Sequence, residues 1–353
     1  MRRFAVLLSL STLLFAGAAR AQVIRGRLSS ELEGPTAGAI VELLDAGGAE
    51  LGRTLSAASG RYGFVAPAAG SYRLKVLRIG YPVWVSDTVS VGAAEVREFS
   101  PQLPARRVVL ASIEVHARNQ CSVHPKEGEL TAQLLEEGRK AVSAAEAAYQ
   151  GHDYRYRVRR YRRDFDRDLV VVLDTTFAET ENDIWPVQSL PVADLERGGF
   201  IQDTDPFGAP TWYGPDAQVI FSDFFLGDHC FAIGKPEPSD SGLVRLEFRV
   251  VKGHELPDLN GTLWIDPKTL DLDHLDFTYT RRPDWVPRDA VVGGRLDFLR
   301  LPTGLWIIRR WALRVPIPAR QEGTGYYSVS GYQEEGGSVV RVTGKDGEVV
   351  FGG

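Results

Sequence analysis

The sequence predicts a mainly β protein, an N-terminal β-sandwich followed by an α+β domain whose curved antiparallel sheet wraps one long helix. Three observations carry this expectation. Apolar residues alternate with polar ones at period two in short segments along most of the chain. The 36 glycines and 20 prolines punctuate those segments at hairpin intervals. One stretch alone, from Thr131 to Gln150, is long and carries helical spacing.

The first 21 residues are read as an export signal: Arg2 and Arg3 precede an apolar run, and Ala19-Arg20-Ala21 has the small-x-small pattern of a cleavage site. That run is shorter than the roughly 20 residues needed to span a bilayer, and no other uncharged apolar run of that length follows. No transmembrane segment is therefore expected after cleavage, and the mature protein is expected to be secreted or periplasmic, including at the outer membrane. Removing Arg2, Arg3 and Arg20 leaves 38 basic against 46 acidic residues, a balance with no global attraction to nucleic acid.

Residues 22–117 form the first predicted domain. "GPTAGAIVELLD" places Ala39, Val41 and Leu43 on one face of a strand, Ser59-Gly60 makes a turn before Tyr62 and Phe64, and Tyr72, Leu74 and Val76 alternate with Arg73, Lys75 and Leu77. Together with the closing "RRVVLASIEVHA", these pieces resemble the carboxypeptidase regulatory-like domain. The resemblance implies a transthyretin-like sandwich serving as an interaction or spacer module, and it implies no particular activity. The sequence departs from the usual pattern at Ala58-Ser59-Gly60, where an acidic residue commonly precedes the turn glycine.

Residues 118–353 form the second. Leu134, Leu135, Gly138, Ala141, Val142, Ala145, Ala148 and Tyr149 make one helical stripe, with Thr131 as the expected N-cap and Gly151 as the C-cap. Tyr154, Tyr156 and Val158 alternate with Arg155, Arg157 and Arg159, and "DLVVVLDTTF" is the expected hairpin partner. Residues 182–215 lack periodicity and predict a long loop over one sheet face, followed by a short helix over residues 216–226. Seven further segments from "LVRLEFRVV" to "SVVRVTG" complete eight or nine strands. Within them, "LNGTLWIDPKTLDLDHLDFTY" is similar to the repeating hairpin of periplasmic lipoprotein carriers of the LolA and LolB type, which implies a curved sheet holding an acyl chain.

Residues that could carry chemistry are few. Cys121 and Cys230, the two cysteines of an exported chain, are expected to form a disulfide. Zinc is the competing reading, with His124 and His229 beside the two cysteines, but adjacent His229 and Cys230 would point to opposite strand faces. "HPKE" supplies His124 and Glu127 in the pattern of zinc carboxypeptidases with His229 or His254 as a distant partner, yet no strand-turn-helix context surrounds it. No metal or other cofactor is expected. The arginines of "DYRYRVRRYRRDFDRD" are expected to pair with Glu179 and Glu181, while Asp164, Asp166, Asp168 and Asp271, Asp273, Asp276 lack the glycine and terminal glutamate of a calcium loop. Phe221, Phe224 and Phe225 are expected in the core, and Trp185, Phe207, Trp212 and Tyr213 are the candidate ligand-binding residues, because aromatic side chains on a loop suit a sugar or acyl chain. The sequence thus predicts a non-catalytic bacterial envelope protein binding a protein partner, a glycan or an apolar ligand, with a lipid carrier second and a zinc hydrolase third.

Overall fold

In the computed structural model, residues 22–32, 34–104, 125–150, 153–202, 209–235, 242–320 and 327–352 are described. The expected export signal, Cys121, His124 and Phe207 lie outside them, as do Gly151 and the segment "RRVVLASIEVHA".

The sandwich comprises β1 (Gln22–Arg27), β2 (Ser29–Ser30), β3 (Gly34–Pro35), β4 (Ile40–Leu44), β5 (Glu50–Leu55), β6 (Arg61–Ala66), β7 (Gly70–Leu77), β8 (Trp84–Val85), β9 (Val89–Val91), β10 (Val96–Glu98) and β11 (Gln102–Leu103). One sheet runs β5-β4-β7-β8, with β9 also on β7, and a second runs β10-β1-β6. Between them Ile24, Val41, Leu43, Tyr62, Leu74 and Val76 form one core, the parity that the alternation predicts. Gly60 holds the turn at φ +77°, and a Cβ there would lie 2.2 Å from the Leu28 carbonyl oxygen.

Strand β4 departs from simple alternation because all five of its residues are buried. Its second face is covered by α1 (Pro125–Gln150), which contacts both β4 and β5. The helix starts six residues before Thr131, at Pro125, since proline suits a first turn whose amide needs no partner. Thr131 is accordingly an interior, buried helix residue and not the N-cap.

The large sheet has eleven strands, ordered β13 (Val171–Thr176), β12 (Tyr154–Phe165), β23 (Tyr327–Gly344), β22 (Trp306–Arg320), β21 (Gly293–Arg300), β20 (Leu272–Tyr279), β19 (Leu259–Ile265), β18 (Val244–Val250) and β17 (His229–Ile233), with β14 (Thr180–Asn182) on β12 and β24 (Val349–Phe351) on β23. "YYSVSGY" and "SVVRVTG", two strands by sequence, are the single strand β23, because Gly336 and Gly337 continue the ladder through the middle. The loop over residues 182–215 holds α2 (Val192–Gly198) and the short pair β15 (Ile201–Gln202) and β16 (Thr211–Trp212). The helix expected over residues 216–226 is two short helices, α3 (Ala217–Ile220) capped by the Asp216 carboxylate and α4 (Asp223–Asp228) capped by the Ser222 hydroxyl.

Glycines fit the sheet to its aromatics. Phe248 lies across Gly261 and Phe277 across Gly294, so closely that a Cβ on either glycine would sit 2.6 Å from the ring. On α1, Gly138 admits Phe221 in the same way.

The two domains share a core. Ile79, from the sandwich, is buried with the large-sheet cluster, and Leu55 packs against a second cluster that contains Leu301, Leu305 and Ile307. Between them sits an ion pair with both side chains 4% exposed: Lys140 donates to Glu137 at 2.7 Å and to the Tyr81 carbonyl at 2.8 Å, and the Gly80 amide donates to Glu137 at 2.7 Å. The loop over residues 78–81 is thereby fastened to α1 through satisfied buried charges.

Candidate functional site: a cleft on the inner face of the sheet

The cleft arises where the sheet's inner face runs out of cover. Register aligns Leu246, Leu263, Leu275, Leu296 and Trp311 in one cross-strand row, which continues through Gly337 to Arg160. The leucines are buried and Trp311 is half-buried, while Arg160 is exposed. A parallel row passes from Phe277 through Gly294 and Leu313 to Glu335 and Arg162. Trp311 and Leu313 therefore mark the border at which an apolar face becomes a charged one.

Over this border the segment Ile184 to Gln188, with Gly214 and Pro215, stands as a wall enclosing about 330 Å³ above Phe277, Leu296, Trp311 and Leu313. Asp216 anchors the wall: its carboxylate accepts from Ser189 N and Val219 N, each at 2.9 Å. Burial pushes its pKa up, against the lowering effect of those backbone donors. Arg160 ties the wall to the sheet, donating to the Pro186 carbonyl at 3.1 Å with its guanidinium 5.7 Å from the Trp311 ring centre. An apolar floor with a few polar groups at the rim is the composition of a ligand site.

The candidate aromatics divide. Trp185 stands in the wall, packs on Tyr149 at 5.4 Å and also borders a smaller apolar cavity of about 40 Å³ beneath it, near Tyr156 and Trp306. Trp212 instead packs edge-on against Tyr279 at 4.9 Å, and the Tyr213 carbonyl accepts from the Tyr279 hydroxyl at 2.8 Å. Both support the wall from the core side, while Phe207 lies outside the described residues. Sequence reasoning missed Arg160, Trp311 and Glu335. The signal was Arg159-Arg160, since consecutive strand residues face opposite ways and only one of them can meet Glu179.

The other candidates resolve into structural roles. Arg157 and Arg159 pair with Glu181 and Glu179, as expected, on the outer face. Asp164 accepts from Arg162, Asp166 closes a turn by accepting from Asp168 N and Val170 N, Asp271 meets Arg300, and Asp273 and Asp276 flank His274. Cys230 lies in β17 opposite Arg249, and its expected disulfide partner lies outside the described residues.

His229 is buried, stacked on Phe225 at 3.9 Å, with Nδ1 2.7 Å from the Phe225 carbonyl and Nε2 2.9 Å from the Leu259 carbonyl. Two carbonyl partners favour the form in which both nitrogens donate, and Asp258 at 3.4 Å favours the positive charge that this form carries. His254 reaches the other oxygen of Asp258 at 3.2 Å. Burial lowers the His229 pKa, but Asp258 and the two carbonyls outweigh it and the net shift is upward. Both ring nitrogens thus face backbone carbonyls, and among the described residues no group of three or more metal-binding side chains gathers.

No curated protein matches the chain. Among solved structures, the Bacillus anthracis TIE protein is 10% identical, with 46% of this chain aligned over 26% of that one at a TM-score of 0.21. A 9R-lipoxygenase from Cyanothece PCC8801 is 11% identical, with 79% of this chain over 42% of that one at a TM-score of 0.20. The chain thus spans less than half of either protein, and likenesses this distant carry no functional argument. The lipoprotein-carrier likeness finds no support among the comparisons. The N-terminal resemblance does: residues 23–104 match the carboxypeptidase regulatory-like domain family, and the sandwich is such a domain.

Proposed function

We propose that this is a non-catalytic, exported bacterial envelope protein that binds an apolar ligand, or an apolar part of a partner, in the inner-face cleft, with the regulatory-like sandwich as its platform. The observation that carries this reading is the cleft itself, about 330 Å³ over a continuous apolar floor with a polar rim. A regulatory-like sandwich suits a binding or structural role. Against the metallohydrolase reading, both His229 nitrogens face backbone carbonyls, which leaves His254, 3.2 Å from Asp258, as its distant histidine.

An apolar fluorescent dye titrated into the purified protein tests this. One saturable site per chain is expected, weakened by Trp185→Ala and by Leu313→Gln; binding untouched by either variant places the site elsewhere. Hydrolysis of a peptide or ester, lost in a single-residue variant, would sink the non-catalytic reading. Export is tested separately: mature protein unfolded without reductant is expected to show no free thiol, Cys121 and Cys230 being joined.

A further inference from the structure

We infer that the cleft selects an amphiphile carrying a single negative charge, with Arg160 as the group that receives it. The inference rests on the binding reading above and adds the chemical class of the ligand. On β12, Arg157, Arg159, Arg162 and Arg163 each have a carboxylate partner, respectively Glu181, Glu179, Asp164 and Asp174. Of the strand's other two arginines, Arg155 and Arg160, neither has one among the described residues, and it is Arg160 that borders the cleft: its bond is to the Pro186 carbonyl, and its guanidinium carries about five N–H donors. The side chain is also held in place, between the wall and the Trp311 ring, so little freedom is lost when an anion arrives.

The second charge of the cleft refines the picture. Glu335 accepts from Gln333 Nε2 at 2.8 Å and lies opposite Arg162 in register, on the same face as Arg160 but without an ion pair to it. The apolar floor lies below both, so a ligand with a carboxylate or phosphate head would set its head at Arg160 and its tail over Leu296, Trp311 and Leu313, away from Glu335. Opposite effects of the two charges follow from this placement.

Decanoate and decanol share a tail and differ in charge, and calorimetric titration of the full mature chain with each tests the inference. Decanoate is expected to bind more tightly than decanol. Arg160→Gln should weaken decanoate about fivefold and leave decanol unchanged, Arg160→Lys should restore part of the loss, and Glu335→Gln should tighten decanoate about twofold. Equal binding of the two probes, unchanged by Arg160→Gln, would overturn the inference while leaving the cleft as a binding site. Binding of neither would overturn both readings.

Discussion

The two faces of the large sheet are made by the same strands and solve opposite problems. Outside, Trp264, His274, Asp297, Arg310, Ser338 and Arg159 stand in one cross-strand row, and charges alternate so that each arginine finds a carboxylate nearby. Inside, the equivalent row is leucine, and aromatic rings fill the space that glycine leaves on the next strand. Charge outside is held in water and is replaceable. Charge buried at the joint between the domains, at Glu137 and Lys140, is held because each charged group has hydrogen-bond partners.

The sharpest way to break this contrast is to unbalance the buried pair. Lys140→Met leaves Glu137 buried without its cation and is expected to cost about 3–5 kcal/mol in denaturant unfolding, whereas Glu137→Leu with Lys140→Met should return to within about 1 kcal/mol of the parent. A double variant as unstable as the single would show that the joint depends on charge itself. Next, Phe248→Ala on the inner face should cost about 3–5 kcal/mol, because Gly261 opposite leaves nothing to refill the space. Arg310→Ala, with its side chain 61% exposed outside, should change stability by less than about 0.5 kcal/mol. Similar losses at both positions would erase the distinction between the faces.

A pH series sharpens the comparison further. The raised pKa of His229 means that its stabilisation is complete below its unfolded value and is lost as pH rises through its folded value. Stability should therefore fall above about pH 6.5, by up to about 1.4 kcal/mol for each unit over which only the folded form keeps the proton. His274 is lowered by burial but raised overall by Asp276 and Asp273, and so contributes with the same sign from the outer face. His229→Gln and His274→Gln measured in parallel separate the two, and a slope unchanged in His229→Gln would refute the buried cation.

Much of this architecture was legible because it is periodic. The sandwich parity at Val41 and Leu43, the hairpin of β12 with β13, and the pairing of Arg157 and Arg159 with Glu181 and Glu179 all follow from period two. Burial of both faces of β4 did not follow, since the cover comes from a helix some ninety residues away. The cleft was half legible. Trp185 stood out as an aromatic on an aperiodic segment, but Trp311 and Arg160 are ordinary strand residues whose role depends on where the cover ends.

The joint at Gly80 and Tyr81 changes what can be done with the N-terminal domain. Domains of this kind occur as cassettes on unrelated proteins, and a cassette should lift out cleanly. This one would not. Cut from its helix, it would leave Ile79 and the second face of β4 bare, and the remainder would keep Glu137 and Lys140 with their backbone partners gone. Grafting the sandwich onto a new host therefore means grafting α1 with it, and a natural rearrangement at this boundary would have to carry the helix as well.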